Sequence, residues 1–291
     1  MFSWIRSKPL RTSGFEGLPF PTSLVPLVSH PRIACSDTWV SQVLAYRLLA
    51  HLSFTTVLEL EHVNPVCSQL GRGESPVPLT EQQRNDALRI YCDEGGHALF
   101  VELLAKAVET EFGVDRRFLG IPRFHTKMRA LLSSETGVSQ NTLRHFFVSV
   151  SETLVTQILK NIPRDTSVAL PVRLVIGDHA ADEACHGVYF RWYFPLLWKA
   201  LGETEREKMI PLLPDLIWTF LEPDQELDAR ILRALGFGET ESKTIAWDGY
   251  QSAAIAATVR AAAKSTVEMC RKAGVLESDC GLSYFSAKGL L

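Results

Sequence analysis

Ionisable side chains inside apolar helical runs limit most strongly what this chain can become. Four segments place acidic or imidazole groups where a helix would carry its buried stripe. "LSFTTVLELEHVNP" holds Glu59 and Glu61, and "IYCDEGGHALFVELL" holds Glu94 and His97. "FFVSVSETLVTQIL" holds Glu152, and "VIGDHAADEACHGVYF" holds His179, Glu183 and His186. Glu94 and His97 are i and i+3, while His179, Glu183 and His186 are i, i+4 and i+7, so each set shares one helix face. Buried charge is expensive unless it is paired or ligates a metal. The four segments are therefore expected to meet around a group that neutralises them.

The rest of the chain supports a helical frame. Residues 1–37 contain Pro9, Pro19, Pro21, Pro26 and Pro31 and read as an extended arm packed on one helical domain, 38–291. Ser36 or Asp37 can cap a helix running to about His62, ended by "VNPVCSQLGRGESPVP". Thr80 and Gln83 resemble a capping box opening a helix to about Phe112. Further helices are expected near 121–133, 139–161, 171–201 (with a kink at Pro195), 203–221, 224–236 and 247–273. Period-2 alternation never runs far, so the fold class is all-α.

In chain order the ionisable groups read Glu, Glu-x-x-His, Glu, Glu-x-x-His. Four-helix bundles with a carboxylate-bridged di-iron centre use this pattern, one Glu from each of two helices and Glu-x-x-His from each of the other two. Carboxylates are hard and anionic and can bridge two cations, while imidazole supplies neutral terminal ligands. On the first helix both Glu59 and Glu61 are candidates. Glu59 is preferred because it stands a full turn from the Asn64–Pro65 break. Asp93 is placed to accept a hydrogen bond from an imidazole in the opposite half of the site. Asp178 and Asp182 fall outside the ligand stripe, as groups that support the ligands from behind or as surface groups. His30 and His51 have no acidic partners at helical spacing, His62 sits at a helix end, and His125 and His145 read as surface or core residues. Tyr189, Arg191 and Tyr193, just past His186, read as packing and surface groups, with a substrate carboxylate as their alternative partner.

"DEGGH" at 93–97 and "HAADEACH" at 179–186, with Glu59 or Glu61 before and Glu152 between, resemble the para-aminobenzoate N-oxygenase (AurF-like) family of di-iron N-oxygenases. The resemblance spans about residues 38–200, and His179 carries its specificity, since ordinary ferritin-like sites need only two histidines. It implies a ferritin-like four-helix bundle core with additional helices. It also implies two iron ions held by Glu59, Glu94, His97, Glu152, His179, Glu183 and His186. The expected activity is O2-dependent oxidation of an amine nitrogen to hydroxylamine, nitroso or nitro in small-molecule biosynthesis. The amine would be an arylamine or an amino acid, free or tethered to a carrier protein. No flavin, nicotinamide or iron–sulfur motif is present, so electrons are expected from an external reductase, and a homodimer is expected by analogy. A di-iron hydroxylase or desaturase acting on carbon, or an iron-binding protein without oxygenase activity, are the rival readings.

The remaining features exclude other classes. A net charge of −3 with no basic block argues against nucleic acid or an anionic membrane surface. No uninterrupted apolar run reaches bilayer length. Six scattered cysteines without a CxxC pair fit reduced thiols in a cytoplasmic protein. Gly95 and Gly96 remain an anomaly, because each glycine inside a helix costs about 1 kcal/mol relative to alanine. Close approach of another helix or of substrate, a local π-bulge, or tight packing would each account for them.

Overall fold

The computed structural model describes residues 14–134, 136–159, 161–248 and 252–291. Among them there is no strand; the single bridge pairs Leu18 with Val168. Residues 1–13 of the arm lie outside the described residues. From Thr22 the arm winds through short helical turns, Thr22–Leu24, Pro26–Ser29 and α1 (Pro31–Ala34). Pro26 and Pro31 begin turns there, since a missing N–H costs nothing in a first turn.

Four long helices build the core. Ser36 caps α2 (Asp37–Leu58), accepting from the Trp39 N–H. The helix does not stop near His62. It widens into a π turn, Glu59–Val63, in which the Asn64 N–H bonds the Glu59 carbonyl, and then continues as α3 (Asn64–Gly71). Pro65 falls in the first turn of α3, so it is accommodated rather than breaking the rod. By length and composition Asp37–Gly71 could cross a bilayer, unlike any uninterrupted apolar run, yet 56% of its most apolar window is buried within the protein.

The capping box forms as expected at α4 (Glu81–Phe112): Thr80 Oγ1 accepts from the Gln83 N–H, and Gln83 Oε1 accepts from the Thr80 N–H. Gly113, at φ 62°, closes the helix in the left-handed conformation that glycine adopts without strain. After α5 (Arg123–Ser133) come α6 (Gln140–Leu159) and α7 (Leu170–Ala200), which runs through Pro195. Helices α2/α3, α4, α6 and α7 pack on one another as a bundle. Asp93 meets His186 and His97 meets Asp182, so α4 and α7 are antiparallel.

Additional helices cover one side: α8 (Glu203–Leu221), α9 (Gln225–Ala234), α10 (Glu239–Asp248), α11 (Ser252–Lys272) and α12 (Asp279–Ala287). Of the helix expected over 247–273, the first two residues close α10 and the stretch from Ser252 to Lys272 is α11; residues 249–251 lie outside the described residues. Helix α12 was not anticipated. It is short, capped by the Ser278 side chain, and buries Gly281 and Phe285.

Candidate metal centre

All seven candidate ligands converge at the centre of the bundle, each no more than 4% exposed. Their donor atoms form two groups, each within 4.8 Å: Glu59, His97, His179 and Glu183 in one, Glu94, Glu152, Glu183 and His186 in the other. Glu183 belongs to both. Its Oε1 is 3.1 Å from His179 Nε2 and 3.4 Å from His186 Nδ1. Glu94 also faces both halves, with Oε2 3.1 Å from His97 Nδ1 and Oε1 3.2 Å from His186 Nδ1. These two carboxylates therefore face imidazoles of both groups, whereas Glu59 and Glu152 each belong to one group alone. One group holds two imidazoles and the other one.

Of the two first-helix candidates, Glu59 and not Glu61 is brought to the cluster by the π turn. Glu59 opens it and is 2% exposed, 3.1 Å from His179 Nε2, whereas Glu61 faces outward and is exposed. It is here, on the facing helix, that the bundle carries its bulge; α4 passes through Gly95 and Gly96 as regular α-helix.

The outer nitrogens of two imidazoles are held by aspartates. His97 presents Nδ1 to the cluster while Nε2 lies 3.2 Å from Asp182 Oδ2. His186 likewise presents Nδ1 inward, with Nε2 3.5 Å from Asp93 Oδ2. Each aspartate favours the tautomer with a proton on Nε2 and a lone pair on Nδ1, the arrangement that ligating histidines adopt. Asp93 thus lies against the opposite half, and Asp182, read from the sequence as outside the stripe, proves to be its counterpart.

A further neighbour went unnoticed in the sequence. Cys67 on α3 is fully buried beside the second group, and its thiol is pushed well above its usual range by burial and by the charges of Glu94 and Glu152. Only the continuation of the helix past Pro65 brings it there. Of the other histidines, His51 lies near enough to His179 that burial, helped by the charge of His179, pushes it down to about 4, while the rest stay apart from the cluster. His62 bonds His125, His145 lies between Gln69 and Tyr193, and His30 caps α1.

The donor set fits two divalent cations. Glu59 Oε2 is buried without a hydrogen-bond partner, and Glu94 Oε1 and His186 Nδ1, though 3.2 Å apart, are not aligned for a hydrogen bond with each other or with anything else. Such orphaned atoms are costly unless something binds them. Four carboxylates and three neutral imidazoles carry four negative charges, which two divalent ions offset. By themselves the side chains can offset one another only by sharing protons. Burial alone would lower His179, but hydrogen bonds to Glu183 and Glu59 push it up to about 10. Burial pushes Glu59 up to about 7, and Glu152 well above the carboxylate range, helped by Glu183 and Glu94.

Metal uptake must displace these protons, because ligating imidazole has to be neutral. His179 holds its proton across neutral pH, so affinity for iron(II) should rise with pH, by up to about tenfold per unit for each proton displaced. Calorimetry in buffers of different ionisation enthalpy counts the protons released. An affinity that does not change with pH would contradict this account.

A family model described as P-aminobenzoate N-oxygenase AurF matches residues 9–274 of the 291. The chain belongs to this family. The match takes in the bundle and most of the additional helices, well beyond the segments that carry the ligands. Comparison with curated proteins found no match. Membership of the AurF family supports an enzyme of the oxygenase type, with a buried carboxylate–imidazole cluster able to hold metal ions.

Proposed function

We propose that this AurF-family protein is a cytoplasmic di-iron N-oxygenase that uses O2 to oxidise an amine nitrogen in small-molecule biosynthesis, on an arylamine or an amino acid, free or carrier-tethered. The observation that carries the reading is the four-carboxylate, three-imidazole cluster split into two groups that share Glu183. Two irons bound there would supply O2 activation, with electrons from an external reductase. The chain's own part is positional. Glu94 and Glu183 span the two groups, and Glu59 and Glu152 close the ends. Asp93 and Asp182 orient two imidazoles, and the bundle excludes water from all seven ligand candidates.

A half-enclosed cavity of about 90 Å³ lies beside α2, lined by Phe54, Phe124 and Phe220 and by the ion pairs Arg123–Glu222 and Arg230–Asp224. None of the seven ligand candidates lines it. Phe54 precedes Glu59 by five residues, roughly 7 Å along the helix axis. Its aromatic floor suits an arylamine waiting outside the metal centre.

The test loads the protein with iron(II), supplies an external reductant and 18O2, and offers a panel of arylamines and carrier-bound amino acids. Mass spectrometry should find label on nitrogen. Label on carbon, or iron uptake far beyond two per chain, would replace this reading with a rival one. His179→Ala removes a ligand from one group only, so its iron content should fall from two towards one per chain.

A further inference from the structure

Two helical turns beyond the metal centre, α6 and α7 carry a second buried polar pair. The two helices are antiparallel: Glu152 meets His186, and seven residues away on each helix His145 meets Tyr193. That spacing sets the pair about 10 Å along the bundle from the ligands. Both side chains are wholly buried. Tyr193 Oη is 2.9 Å from His145 Nδ1, and His145 Nε2 is 3.0 Å from Gln69 Oε1 on α3. Ser75 Oγ lies 3.3 Å from Tyr193 Oη.

The partners fix the direction of each bond. An amide oxygen only accepts, so Gln69 keeps a proton on His145 Nε2 and leaves a lone pair on Nδ1. The Tyr193 hydroxyl therefore donates to His145, and Ser75 donates to Tyr193. Burial pushes His145 down to about 4, so at neutral pH it is an uncharged base able to take a proton. Burial also pushes the Tyr193 hydroxyl above its ordinary value, which disfavours a bare phenolate. A hydroxyl buried only for packing needs no base. Tyr189 shows this, since its hydroxyl donates to the backbone carbonyl of Gln83, which takes up no proton. Yet Tyr189 links Tyr193 to the surface. Its ring centre is 6.4 Å from that of Tyr193, nearly parallel at 19°, and 5.7 Å from that of Trp192, which is 37% exposed. It also stands three residues past His186, one turn from the ligands.

We propose that Tyr193 and His145 form a proton-coupled redox pair that relays single electrons between Trp192 at the surface and the metal centre. A phenol gives up an electron readily only when its proton leaves as well, and His145 supplies the place for it. In the oxidising step Tyr193 loses one electron to a one-electron oxidant, its O–H bond breaks, and the proton passes to His145 Nδ1. A neutral tyrosyl radical and an imidazolium result, the latter still donating from Nε2 to Gln69. In the return step an external one-electron donor supplies an electron by way of Trp192 and Tyr189, and the proton returns to the phenolic oxygen. The pair needs no metal. Its use in turnover rests on the metal-centre reading, where oxidising power comes from O2.

Two measurements test the pair and the relay separately. Full-length protein without metal is oxidised by flash-generated tris(bipyridine)ruthenium(III), and tyrosyl radicals are followed by electron paramagnetic resonance. Wild type should give a radical that outlives any in Tyr193→Phe many-fold, and its formation should be several-fold slower in D2O. Tyr91→Phe, at an exposed position, should behave as wild type. His145→Gln should lose the long-lived radical; should that variant fail to fold, the isotope effect on wild type decides. A long-lived radical that persists in Tyr193→Phe, no tyrosyl radical in wild type, or equal formation rates in H2O and D2O would overturn the pair. Iron-loaded, air-oxidised protein is then mixed with reduced methyl viologen, and loss of its ferric absorbance is timed. Reduction should be several-fold slower in Trp192→Phe and Tyr193→Phe than in wild type or Tyr91→Phe; equal rates would overturn the relay. Wild type that forms the radical but binds no iron would leave the pair standing and remove the functional reading instead.

Discussion

Glu183→Ala should empty both metal positions with a single substitution. Its carboxylate belongs to both ligand groups and lies within 3.4 Å of His179 and His186. Alanine therefore removes the bridge and also frees two imidazoles that it orients. Loss of an outer partner of a metal ligand typically costs ten- to a hundredfold in affinity or activity. Loss of this shared ligand should exceed about a hundredfold in turnover, with bound iron falling from two per chain towards none. Metal analysis after desalting, alongside the product assay, reads both. Asp178→Ala, at an exposed position one residue from His179, is the matched control and should leave both unchanged. Two irons retained in Glu183→Ala would remove the bridging assignment.

Glu152→Leu should have opposite effects on folding and on metal binding. Glu152 is 1% exposed on α6, among buried neighbours such as Phe147, Val148 and Leu154. Burial, with the charges of Glu183 and Glu94, pushes its carboxyl well above the carboxylate range, so without metal it is a buried acid under like-charge pressure. Replacing buried ionisable groups with apolar ones of similar volume often stabilises a protein by about 1–4 kcal/mol. In a chain of this size each kcal/mol corresponds to roughly 2–4 °C, so the metal-free variant should melt several degrees higher than metal-free wild type. The same substitution takes a donor from the second group, so iron should raise the variant's melting temperature less than the wild type's. Scanning calorimetry with and without iron(II) measures both; a variant destabilised in both states would show that Glu152 is held chiefly by structural hydrogen bonds.

The parts of this protein that were legible in its sequence are those fixed by local spacing. Glu94 and His97, or His179, Glu183 and His186, share a face because helical geometry puts them there, and Thr80 with Gln83 marks the start of α4 by direct contact. Features that depend on what lies across the bundle were harder to read. Pro65 signals a stop, yet a first helical turn tolerates it, so α3 continues and carries Cys67 to the cluster. Asp182 stands beside the ligand stripe on its own helix, and only the antiparallel partner α4 brings His97 to it. The glycines defied a reading within one chain because the nearby space is open. Proline-initiated turns in the arm likewise depend on packing that periodicity does not encode.

The π turn at Glu59–Val63 also has a consequence for how relatives of this protein can differ in length. It holds one residue more than a regular α-helix needs. Deleting Leu60 would turn the π turn into a regular helical turn and leave the segments before and after it in their present phase. Leu52 and Thr55 on one side, and Cys67 and Leu70 on the other, all now buried, would still face inward. A single-residue deletion should therefore be tolerated at this turn and rejected elsewhere between Ser36 and Gly71, where it would rotate one part of the rod by about 100° against the other. Where a relative has lost that single residue, its first-helix carboxylate should stand one residue closer in the chain to the segment that follows.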